Sequence, residues 1–185
     1  MRLVLVFIAL VTTQAQADPA FLRCLGPEMA QRTAAVRDAA PCATDPDCEP
    51  MPLSLYVAAV EPTCLGEAVD RCTLTAVPSS CLRHLVGHID DLTDDLRPRL
   101  NETRIAAAKR HLNAFHRRSI DMAMRRHLEG SENPCKDPDF LERLRSMTRD
   151  EDIVDAACAA AGSFQAYQQA SALERRLTSA EAETR

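Results

Sequence analysis

Eight cysteines carry most of the covalent chemistry open to this chain: Cys24, Cys42, Cys48, Cys64, Cys72, Cys81, Cys135 and Cys158. No two stand as Cys-x-x-Cys, which argues against a thioredoxin-like redox pair and against structural zinc. An even set reads as a disulfide framework in a protein delivered to an oxidising compartment. Connectivity does not follow from spacing alone, but geometry limits it. Cys64 and Cys72 are eight residues apart, and in one straight helix their Cα atoms would lie about 12 Å apart, beyond bonding range. Cys72 and Cys81 flank a turn and suit a staple at the base of a helical hairpin. Cys42 and Cys48 would close a proline-rich loop. Cys158 suits a partner on the first bundle helix, such as Cys64.

A second candidate is His84-Leu85-Val86-Gly87-His88, two imidazoles one helical turn apart, with Asp91 and Asp95 on a similar face. Two histidines and a carboxylate have the donor set for zinc or copper. The zincin motif needs glutamate after the first histidine, and Leu85 stands there. The simpler reading is a polar, solvated helix face, and no metal or other cofactor is expected. Charge is also segregated. Asp90, Asp91, Asp94 and Asp95 form an acidic cluster, while Arg104, Lys109, Arg110, Arg117, Arg118, Arg125 and Arg126 make the following segment basic. The two segments either neutralise each other or leave one face for a charged partner. The sequence carries no Gly-x-Ser-x-Gly, no phosphate-cradling glycine loop and no dinucleotide fingerprint, so a non-enzyme is expected. The sequon Asn101-Glu102-Thr103 falls in a helical stretch and is read as chance.

The first 17 residues explain the cysteines. Arg2 supplies a positive start, Leu3–Val11 an apolar core, and Ala15-Gln16-Ala17 a small-residue cleavage site. That core is too short to span a bilayer. The expected product is a periplasmic or secreted chain beginning at Asp18, 168 residues long (185 − 17), with no membrane anchor. Without Arg2 it has 21 basic residues against 27 acidic ones, a net charge of −6, which disfavours nucleic acid as a partner. Alanine supplies much of the apolar content and tryptophan is absent. Such a core buries little surface per residue, which makes disulfides a useful supplement.

Periodicity predicts an all-α, disulfide-stapled helical bundle with short loops. A helix is expected from Pro27 to about Ala40, then a proline-rich loop over 41–52. The run 53–60 is ambiguous, and Pro62 opens a helical segment. Ser79 or Ser80 is expected to cap a helix whose stripe is Leu82, Leu85, Val86, Ile89, Leu92 and Leu96. The longest helix is expected over 99–129, with Ile105, Ala108, Leu112, Phe115, Ser119 and Met122 inward and Gly130 ending it. A short helix over 139–147 and a last one from Asp150 to about Leu177, bent near Gly162-Ser163, follow. The segments are thus an export signal (1–17), a cysteine- and proline-containing N-terminal stretch (18–52), a helical domain (53–178) and a frayed tail (179–185).

Thr63-Cys64-Leu65-Gly66-Glu67-Ala68, then Cys72 and Cys81-Leu82, resemble the opening of the LprI-like lysozyme-inhibitor family, small exported bacterial helical domains. Asp91-Leu92 through Leu96, the run Ile105–Arg110 leading to Phe115-His116-Arg117-Arg118, and the late Ala157-Cys158-Ala159 continue the likeness, which covers roughly residues 63–178. This chain has no tryptophan near His111-Leu112, where the family usually carries one. The resemblance implies a binding or inhibitor protein acting on a basic muramidase; the alternative is an accessory protein that binds cell-wall material or another envelope protein. Asp90, Asp91, Asp94 and Asp95 are the expected binding residues. Their exposure separates the cases: if the arginines cover them, that surface is lost.

Overall fold

The computed structural model describes residues 19–40, 53–130 and 133–182. The expected export signal, the cleavage site expected after Ala17, and the expected Cys42–Cys48 pairing lie outside the described residues. Among the described residues there are eight α-helices and no strand: α1 (Pro19–Leu25), α2 (Met29–Asp38), α3 (Leu53–Thr73), α4 (Pro78–Leu96), α5 (Glu102–Arg110), α6 (Ala114–Glu129), α7 (Pro138–Met147) and α8 (Glu151–Ala182). The all-α, disulfide-stapled class read from the sequence is the observed one. None of the described helices is long and apolar enough to cross a membrane.

The longest helix is α8, with 32 residues, rather than the expected 99–129 segment. That segment is two helices because two asparagines act as N-caps. Asn101 accepts a hydrogen bond from Arg104 N at 2.9 Å, and Asn113 accepts one from His116 N at 2.9 Å. The second cap breaks the helix at His111–Asn113 and resets its phase. Ile105, Ala108 and Leu112 face inward as expected, but beyond the break the buried residues are Ile120 and Ala123. Phe115, taken as inward, is 76% exposed, and Met122 is exposed as well. Gly130 ends α6 as expected, with φ 76° and ψ 170°, a positive-φ extended conformation open to glycine.

Proline placement accounts for three further departures. Pro27 lies in the turn between α1 and α2 instead of opening one helix. Pro62 sits inside α3, so 53–60 is the first half of that helix and not a separate element. Pro78 occupies the first position of α4, which makes Val77, not Ser79 or Ser80, the capping residue. Near Pro98, α4 stops at Leu96 and a 3-10 turn follows over Arg97–Arg99.

The core has three clusters, and α8 contributes to all of them. Its first turns (Ala156, Ala157, with Ile153 and Cys158 beside them) pack with Cys72, Leu82 and Leu144. Ala160 and Phe164 join Phe21, Cys24, Val60, Cys64, Ala68, Leu85 and Ile89. Leu173, Leu177 and Ala180 join Ile105, Ala108, Leu112, Ile120 and Ala123. Of the stretch 179–185 read as a frayed tail, the described residues through Ala182 continue α8, and Ala180 is buried. α8 also continues as one helix through Gly162-Ser163. Its alanines let neighbours approach closely, and α3, α4, α5, α6 and α7 all pack on it.

Three disulfides link the described cysteines, and none of these is free. Cys72–Cys81 staples the α3–α4 turn as expected. Cys64 pairs with Cys24, and Cys158 with Cys135, so the expected Cys64–Cys158 bond is not formed. The reason is position along α8: Cys158 lies in the first cluster with Cys72, while Cys64 lies in the next one with Phe164.

Loop length ranks these bonds. Their sequence separations are 40 for Cys24–Cys64, 23 for Cys135–Cys158 and 9 for Cys72–Cys81. Chain-entropy loss in the unfolded state then gives about 4, 3.5 and 2.5 kcal/mol respectively. Serine double mutants, compared by urea unfolding, should follow that order. A Cys72–Cys81 deletion that costs more than a Cys24–Cys64 deletion would show that native-state geometry, not loop entropy, dominates.

Candidate functional site

The amphipathic stripe of α4 sets the acidic face. Leu82, Leu85 and Ile89 are buried against α8 and its neighbours, which turns Asp90, Asp91, Asp94 and Asp95 outward, and all four are exposed. Only Asp94 has an ion-pair partner among the described residues, Arg97 of the adjoining turn at 3.0 Å. The basic segment does not cover this face. Arg104 reaches across to α8 instead, where Glu181 takes two hydrogen bonds at 2.6 and 3.0 Å and Glu174 a third. Those two carboxylates, Glu181 first, raise the Arg104 pKa above its ordinary value against the opposing effect of burial. Lys109 pairs with Asp121 across the α5–α6 break. Of the two readings of this charge segregation, mutual neutralisation of the segments is not observed among the described residues; α5 pairs with α6 and α8 instead.

His84 and His88 lie on the same helix. His84 is exposed and donates from Nδ1 to the Ser80 carbonyl at 2.8 Å. The Nε2 atom of His88 is buried without a hydrogen-bond partner among the described residues. No group of three or more histidines, cysteines, aspartates or glutamates in metal-binding proximity occurs among the described residues.

Sequence reasoning missed a polar network at the junction of two core clusters. Glu61 of α3 is only 2% exposed, and its carboxylate accepts from Arg175 at 2.6 Å. Arg175 also donates to the Ser171 hydroxyl at 2.7 Å, and Gln168 lies 3.5 Å from Glu61. Tyr167 stands beside them, its hydroxyl pKa raised first by burial and then by the Glu61 charge. A single carboxylate ending the run Leu53–Val60 was the available signal, since a buried charge needs a partner.

This network borders an open groove between α3, α6 and α8. One part, about 360 Å³, is lined by Leu55, Leu112, His116, Ser119 and Ser179. A second, about 740 Å³, is lined by Glu61, Met122, Glu129 and three glutamines, Gln165, Gln168 and Gln169. Ala58, Ala172, Arg126, Arg175 and Arg176 border both.

Breaking the buried pair should be costly, because one charge is left without its partner. Glu61→Ala should lower the unfolding free energy by about 2–3 kcal/mol, below the range for fully buried pairs because Arg175 is partly solvated. Glu61→Leu combined with Arg175→Met, which removes both charges, should recover most of that loss. Urea unfolding of the three proteins decides it, and a double variant worse than Glu61→Ala would contradict this reading.

No family model, no curated protein and no solved structure matches this chain.

Proposed function

We propose that this chain is an exported, non-enzymatic binding protein that inhibits a basic muramidase through the acidic face of α4. The observation that carries this reading is the exposure of Asp90, Asp91, Asp94 and Asp95 on one rigid helix, with three of the four lacking an ion-pair partner among the described residues. Fixed carboxylates on a helix give a steady negative potential at no ordering cost on binding. A basic enzyme would be steered to such a face, and its active-site cleft would then be occluded by the body of the bundle. The disulfides fit an oxidising compartment, and the cysteine and aspartate pattern resembling the LprI-like lysozyme inhibitors supplies the target class.

Asp91→Lys with Asp95→Lys reverses two exposed charges without touching the core, so the bundle should stay folded. Association with a basic lysozyme should slow by about tenfold. Inhibition by the unaltered protein should also weaken as salt rises, because exposed charges are screened over about 8 Å at physiological ionic strength. The measurement is lysis of cell walls by lysozyme with each protein. No inhibition by the unaltered chain would remove the reading, and inhibition indifferent to both salt and the two substitutions would move the site off α4.

A further inference from the structure

The groove between α3, α6 and α8 has the opposite character to the acidic face. We infer that it binds an extended acidic peptide, whose carboxylates are held by Arg126 and Arg176. This inference is independent of the muramidase reading and uses a different surface.

Size comes first. The two parts of the groove share five lining residues and run along α8 from Gln165 to Ala180. The fifteen helical rises between them cover about 22 Å. An extended chain advances about 3.3 Å per residue, so the trough accommodates about six or seven residues. Alanines at 58 and 172 leave room for a peptide backbone to approach the floor.

Charge selects the sign. Arg126 has no carboxylate within ion-pairing distance among the described residues. Arg176 is held by neutral groups, the carbonyl of Ser119 at 2.7 Å and the Ser119 hydroxyl, so its charge is not cancelled. Only Arg175 is matched, by the buried Glu61. Burial, then the nearby charges of Arg126 and Arg175, lower the Arg176 pKa, a sign that these guanidiniums crowd one another. A carboxylate placed among them relieves that repulsion and accepts paired N–H bonds. Glu61 and Glu129 also line the groove, so its three arginines leave it a small excess of positive charge, on a chain of net charge −5.

Hydrogen bonding distinguishes a peptide from a bare anion. Gln165, Gln168 and Gln169 line the trough; Gln168 already donates to Glu61, and the Gln165 and Gln169 amides each offer both donors and an acceptor. Pro62 has no N–H, so the Ala58 carbonyl one turn earlier lacks its helical donor. A peptide backbone can use these groups; an inorganic anion has no N–H to offer them.

The test uses the oxidised full chain and a fluorescein-labelled hexapeptide of alternating glutamate and alanine, with the glutamine counterpart as control. The acidic peptide should bind in the micromolar range, and the glutamine peptide should not. Arg126→Glu, at a position with no structural partner, should weaken binding by about tenfold or more, with the helical circular dichroism unchanged. Amide chemical shifts should move along Gln165–Ala180 and not on α4. The inference is overturned by no binding at millimolar peptide, by equal binding of the glutamine peptide, or by an unaffected Arg126→Glu variant. It is equally overturned if inorganic phosphate alone displaces the peptide at the peptide's own concentration, which would make the groove a simple anion site.

Discussion

The burial of α8 on several sides is the constraint on which the other elements depend. A helix with one apolar stripe needs one partner. α8 instead buries Val154, Ala157, Phe164, Ala170, Leu173 and Leu177, positions that do not share one face. It is stable only if other helices surround it, and five of them do. Because most of its buried side chains are small, those helices pack closely but gain little area per contact. Covalent bonds supplement that lean core. Cys135–Cys158 fixes the start of α8, and Cys24–Cys64 binds α1 to the helix that packs beside its middle. At the far end an ionic clamp does the same work, with Arg104 of α5 gripping Glu174 and Glu181.

That arrangement also separates the charges. With the α5 arginine turned onto α8, the aspartates of α4 are left facing solvent. On another side, α8 presents Arg175 and Arg176 toward α3 and α6, where Arg126 joins them. An acidic chain thus carries a negative helix face and a separate positive trough. Both are held by rigid helices, so neither surface needs to be ordered when it meets a partner.

Periodicity made much of the bundle legible. α4 and its inward leucines, α7, and the Cys72–Cys81 staple follow directly from spacing and turn chemistry. The misplaced elements share a cause: local signals of equal strength competed. Asn113 is a good N-cap, but the apolar pattern around it continues in register well enough to suggest one helix across 99–129. Pro62 reads as a helix start because proline favours first turns, yet the packing of Tyr56, Val60, Cys64 and Ala68 carries α3 through it. The polar run Thr178–Arg185 hides the buried Ala180, whose partners lie on α5 and α6 far back in the sequence. The acidic face was legible because it lies on one helix. The groove was not, since its arginines come from two helices and its buried Glu61 from a third.

The claim that α8 is the spine of the whole molecule is tested most directly by hydrogen exchange of the oxidised protein under native conditions. If α8 is buried from end to end, amides near Leu173, Leu177 and Ala180 should exchange as slowly as those near Phe164, through opening of the whole molecule. Rapid exchange from Ala170 onward, with Phe164 still protected, would contradict the account: the C-terminal third of α8 would then be a fraying tail, and the core it shares with α5 and α6 would not hold.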